Sequence, residues 1–97
     1  MREYELIMVT HPELDEAAFN EIVNRVSGWI TEAGGEILKT ELWGKRRLAY
    51  PIRKQTEGQY VLFRTKMDPK VGADLDRNMR FLEPVMRYIL VVQDEKK

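Results

Sequence analysis

The chain has 97 residues, 43% of them hydrophobic, and its 16 basic and 16 acidic side chains give a formal net charge of zero. A chain of this length supports one hydrophobic core, hence a single domain over residues 1–97, and a neutral balance argues against an avid, free-standing nucleic-acid binder. With no cysteine, disulfides, thiolate metal sites and thiol nucleophiles are excluded; no apolar run approaches the ~20 residues that span a bilayer, so a cytoplasmic protein without a membrane partner is expected.

The neutrality hides a segregation. Residues 13–36 carry Glu13, Asp15, Glu16, Glu21, Glu32 and Glu36 against Arg25 alone, whereas residues 42–54 carry Lys45, Arg46, Arg47, Arg53 and Lys54 with no acid. A two-faced molecule follows if the fold holds these segments apart.

Taken in order, residues 2–10 are short, apolar on both faces and bounded by His11-Pro12, which predicts a strand. Tyr4, Leu6 and Met8 share one face of it, Ile7 and Val9 the other. Asp15 then serves as a helix cap for an amphipathic run through Phe19, Ile22, Val26, Trp29 or Ile30, and Ala33, closed by Gly34-Gly35. Residues 36–52 read as a long extended segment bent at Gly44, and Pro51, which lacks an amide hydrogen, makes it an edge strand or one leaving the sheet by that point. The polar run 53–58 is expected to be a loop and Gln59–Met67 the next strand, alternating Val61, Phe63, Thr65 and Met67 with Tyr60, Leu62, Arg64 and Lys66. Asp68-Pro69 predicts a helix start with a side-chain cap; the helix steps through Val71, Leu75, Met79 and Leu82 and closes at Glu83-Pro84. Val85–Val92 is expected to be the last strand, and residues 93–97 are expected to form a flexible, solvated tail.

Strand, helix, strand, strand, helix, strand is the α+β, ferredoxin-like βαββαβ sandwich: a four-stranded antiparallel sheet with both helices on one face. The other face carries Ile7, Tyr60, Leu62, Ile89 and Val91 beside Arg64 and Arg87. An apolar patch with an arginine rim is the expected docking face for a partner protein.

Enzymatic chemistry finds little support. The only histidine, His11, stands beside Pro12 in a turn with nothing spaced to orient it, so neither a general base nor a catalytic residue is assigned, and no metal or cofactor is implied. An acylphosphatase on the same architecture needs a glycine-rich cationic cradle after the first strand; Thr10–Asp15 is acidic and has no glycine. RNA binding fares better. Arginine meets phosphate bidentately and a neighbouring tyrosine can stack on an unpaired base, and Lys45, Arg46, Arg47, Tyr50, Arg53 and Lys54 supply both. The competing reading is a solvated edge strand whose cations deter edge-to-edge pairing.

Arg2-Glu3-Tyr4-Glu5, His11-Pro12, the run Arg47-Leu48-Ala49-Tyr50-Pro51-Ile52 followed by Lys54, Gly58 and Tyr60, and Arg87 in the last strand occur here in one order over nearly the whole chain. In this the sequence resembles the bacterial small-subunit ribosomal protein S-six (S6) family. The resemblance implies a structural constituent of the small ribosomal subunit, ribosome-bound, that joins the central domain of the ribosomal RNA as a heterodimer with ribosomal protein S-eighteen (S18), near protein S-fifteen (S15). By the same resemblance Arg2, Arg46, Arg47, Tyr50, Lys54 and Arg87 become positions of RNA or partner contact. The alternative is a stand-alone ferredoxin-like ligand-binding or regulatory domain.

Overall fold

Alternation of period two and stripes of period 3.6 both find their partners in the computed structural model, which describes residues 2–93. The elements are β1 (Arg2–Thr10), α1 (Glu16–Glu32), β2 (Glu36–Ile52), β3 (Gln55–Met67), α2 (Pro69–Met79) and β4 (Val85–Gln93). The sheet runs β2-β3-β1-β4 with every neighbouring pair antiparallel. The ferredoxin-like arrangement is therefore realised, with β1 and β3 central and β2 and β4 at the edges.

One sheet face is buried by the helices. Tyr4, Leu6 and Met8 of β1 and Val61, Phe63 and Met67 of β3 pack in a single cluster with Phe19, Ile22, Val26 and Ile30 of α1 and Leu75 and Met79 of α2. Side chains buried this fully contribute ~1.5–3 kcal/mol each relative to exposure. Asp15 caps α1 as expected, its Oδ1 accepting from the Ala18 amide at 2.8 Å, and Gly34 beyond the helix end takes the left-handed conformation at φ 94°.

Three expectations need correction. The polar run 53–58 is not a loop: only Arg53 and Lys54 turn, and β3 begins at Gln55, paired with Ile52. α2 ends at Met79 rather than at Glu83-Pro84; Leu82 reaches the core through a turn in which its amide donates to the Met79 carbonyl at 3.1 Å. Asp68 occupies the N-cap position of α2, yet its side chain makes no capping bond; its backbone carbonyl accepts from the Gly72 amide at 3.1 Å. At the C-terminus, Gln93 is the last residue of β4, and the rest of the expected tail lies outside the described residues.

Candidate nucleic-acid interface

β1 stops at Thr10, opposite Gln59, while β3 continues back to Gln55. The end of the β2–β3 hairpin, residues 45–58, therefore overhangs the sheet as an arm. Its shape comes from unequal strand lengths. Trp43 is one extra residue on β2 between the pairs Leu42 with Val61 and Gly44 with Tyr60, and Gly44 accommodates this bulge at φ 80°. A larger bulge follows: β2 advances five residues from Arg47 to Ile52 while β3 advances two, from Glu57 to Gln55. The surplus falls on Leu48-Ala49-Tyr50-Pro51, where proline has no amide to offer the ladder.

A strand with more residues than its partner must bend, and this arm bends onto the helix-free face of the sheet. Leu48 packs with Val9 and Met86 in a second small core, flanked by Ile52 and Tyr60. Gly58 passes so close that a Cβ there would lie inside van der Waals contact of Val9 Cγ1 and 3.2 Å from both Met86 Cε and the Thr10 carbonyl. The face expected to be open is thus partly covered by the chain itself. Beneath the arm remains a cavity of about 170 Å³ lined by Ile7, Val9, Leu48, Tyr50, Ile89 and their neighbours.

The arm gathers most of the expected basic residues. Lys45, Arg46, Arg47, Arg53 and Lys54 are all exposed on it, and Tyr50 is 55% exposed. Arg87 joins them from β4: its Nη1 donates a hydrogen bond to the Tyr50 hydroxyl, and its guanidinium lies 5.7 Å from the centre of the Tyr50 ring. Arg53 turns inward along the rim, donating from Nη1 to the Glu83 carbonyl at 3.0 Å and from Nη2 to the Val85 carbonyl at 3.4 Å. Arg2 stands apart. It pairs with Met67 at the far end of β1, eight residues and so ~27 Å from the arm end of that strand.

The expected partner face divides as well. Ile89 and Val91 are 45% and 41% exposed, whereas Leu62 keeps only 8% of its surface and offers little to a partner. Ile7 and Tyr60 are half-buried. Arg64 is bound to Glu5 at 2.6 Å, which holds its pKa above the ordinary value and neutralises that part of the rim.

Trp43 escaped the sequence reading. Its ring stacks on Tyr60 with centroids 6.1 Å apart, Arg46 lies 5.6 Å from its centre, and its indole N–H donates to Glu41 Oε1 at 2.9 Å. Lys39, 2.8 Å from Glu41, and that indole bond hold the Glu41 carboxyl below the usual carboxylate range. A tryptophan beside a bulge glycine and a run of cations was the available signal. Among the described residues no His, Cys, Asp and Glu cluster is arranged to hold a metal ion, and no helix is long and apolar enough to cross a membrane.

Chemically, the arm offers exposed guanidinium and ammonium groups for phosphate with aromatic rings between them, a combination suited to folded RNA. The α1 side carries the acids instead: Glu16, Glu21 and Glu32 are exposed there. Comparison with known proteins identifies the family. The family model described as ribosomal protein S6 matches residues 3–92. Small ribosomal subunit protein bS6 of Carboxydothermus hydrogenoformans is 40% identical over 95 residues, covering 98% of this chain and 99% of that protein. The bS6 protein of Clostridium kluyveri is 43% identical over 96 residues, covering 99% of this chain and all of that one. The crystal structure of 30S ribosomal protein S6 from Thermotoga maritima superposes with a TM-score of 0.90 at 29% identity, covering 95% of this chain and 87% of that chain.

Proposed function

Because the chain belongs to the ribosomal protein S6 family, and so is a structural protein of the small ribosomal subunit rather than an enzyme, we propose that it works as a single domain whose β2–β3 arm binds small-subunit ribosomal RNA. In this reading Lys45, Arg46, Arg47, Tyr50 and Lys54, with Arg87 beside them, contact the central domain of that RNA. Ile7, Ile89 and Val91 of the remaining open face receive S18, and S15 lies nearby on the same RNA. The observation that carries the proposal is the arm itself: five exposed cations against the single acid Glu57, held together on one projecting element. A shared site also accounts for the zero net charge, since a protein that binds RNA jointly with a partner needs fewer cations of its own.

The alternative, a stand-alone ligand-binding domain, has no comparable feature behind it. The apolar cavity under the arm is about 170 Å³, below the ~300–1,000 Å³ of ordinary small-molecule sites, and the roomier depression of about 390 Å³ is an open one lined by Arg47, Tyr50, Pro51 and their neighbours on the arm itself.

Binding to a central-domain RNA fragment, measured by filter retention with and without S18, tests the proposal. Binding that tightens when S18 is present is expected. No retention of the RNA by this chain in either condition overturns it.

A further inference from the structure

The sequence groups Arg53 with the RNA-facing cations, but its bonds set it apart from them. Arg53 and Lys54 are the two central residues of the hairpin turn, at φ 51° and 65°. Turns of this kind match the twist of paired strands but favour asparagine and glycine, because a side chain is strained in the left-handed region. An arginine held there against that preference has its guanidinium directed to backbone thirty residues away, the carbonyls of Glu83 and Val85 at the start of β4. A planar fork can engage two carbonyls at once, which an ammonium does less well.

We propose that Arg53 is a positioning residue, a strap that fixes the tip of the basic arm to β4 and so preorganises Lys45, Arg46 and Arg47 for RNA, without itself contacting phosphate. This rests on the arm being the RNA-binding element. Tyr50 with Arg87 forms a second tie nearer the middle of the arm, and the small core of Val9, Leu48 and Met86 lies between the two. The rest of the arm depends on such ties. Beyond Gln59 its strands pair only with each other, and an isolated two-stranded hairpin is marginal in water. If a binding-competent arm is only part of the population, apparent affinity falls in proportion to that fraction.

The two roles separate by salt dependence. A phosphate contact contributes about one unit to the slope of log affinity against log salt, whereas a strap changes affinity at every salt concentration equally. Arg53→Met keeps the stem and removes the fork. For this variant in the full chain, the strap predicts RNA-fragment affinity weakened by about threefold to tenfold with an unchanged salt slope. It also predicts faster amide exchange at residues 45–57, with β1 and the rest of β3 as protected as in wild type. A slope shallower by about one unit makes Arg53 a phosphate contact and overturns the proposal, as does an arm whose amide exchange is unchanged. Exchange needs no RNA, so a wild-type chain that failed to bind the fragment would remove the functional reading while leaving the strap to be judged on exchange alone.

Discussion

Gly58→Ala is the sharpest test of how the arm is seated. The added methyl would meet Val9 Cγ1 inside van der Waals contact, with Met86 Cε and the Thr10 carbonyl at 3.2 Å on either side. Met86 Cε, the end of a flexible side chain, can move aside, but the other two do not give way easily. Val9 is β-branched and stiff about χ1, 5% exposed, and lies in a central strand, and the Thr10 carbonyl is backbone. Overpacking of this kind costs ~1–3 kcal/mol. Alanine recovers ~0.4–1 kcal/mol by restricting the unfolded chain, which leaves a net loss of about 1–2 kcal/mol. For a domain of this size that lowers Tm by about 5–15 °C, measurable by calorimetry or urea titration. Val9→Ala removes the obstructing methyl, so the double variant should be more stable than the sum of the single losses by about 1 kcal/mol or more. Gly44→Ala is the control. It has open space around it but φ 80°, so it costs ~1–2 kcal/mol through strain and shows no coupling to Val9→Ala. A Gly58→Ala protein as stable as wild type, or strict additivity with Val9→Ala, refutes the close seating of the arm.

The two helix caps should behave differently under urea titration. Asp15→Ala loses a side-chain bond to the Ala18 amide and about 1 kcal/mol, whereas Asp68→Ala, with no such bond to lose, costs clearly less. Burial first, and then the bond its hydroxyl donates to Asp76 at 2.8 Å, raise the Tyr88 pKa above the ordinary 10.0. The fold therefore favours the neutral phenol: its stabilisation is present below pH 10 and lost as pH rises through the raised value. Urea midpoints followed upward from pH 9 should fall less steeply for Tyr88→Phe than for wild type. Replacing Arg46 and Arg47 together with alanine should flatten the salt dependence of RNA binding by about one unit per lost contact, with urea stability little changed, since both side chains are exposed.

The architecture was legible because its signals are periodic. Tyr4, Leu6 and Met8 alternate, Phe19, Ile22, Val26 and Ile30 step at helical spacing, and both sets are buried on the same side. Gly44 and Pro51 marked a bent edge strand, and β2 is bulged at Gly44 and lies at the edge. The arm was harder to read. Residues 53–58 are polar because this end of β3 overhangs the sheet, so a paired strand resembles a loop in composition. The trace of the arm's inward face was Leu48 and Ile52, with Gly58 on the facing strand as the partner of Arg46. That pattern was masked by Pro51 and by a bulge that no spacing rule announces. The end of α2 was misplaced for a related reason: Leu82 continues the apolar stripe while the backbone has already left the helix after Met79. In the candidate site, sequence could group the cations but not their commitments. Arg64 is bound by Glu5 and Arg53 by two carbonyls, and such pairings across dozens of residues depend on tertiary structure.

The central claim is that RNA lies against the arm and not against the acidic helix α1. A chain without cysteine permits single-site labelling, so Lys45→Cys and Glu21→Cys, each carrying a benzophenone, can be assembled into small subunits and irradiated. Cross-links to ribosomal RNA from residue 45 and none from residue 21 are predicted. RNA cross-links from residue 21, with residue 45 silent, would contradict the account.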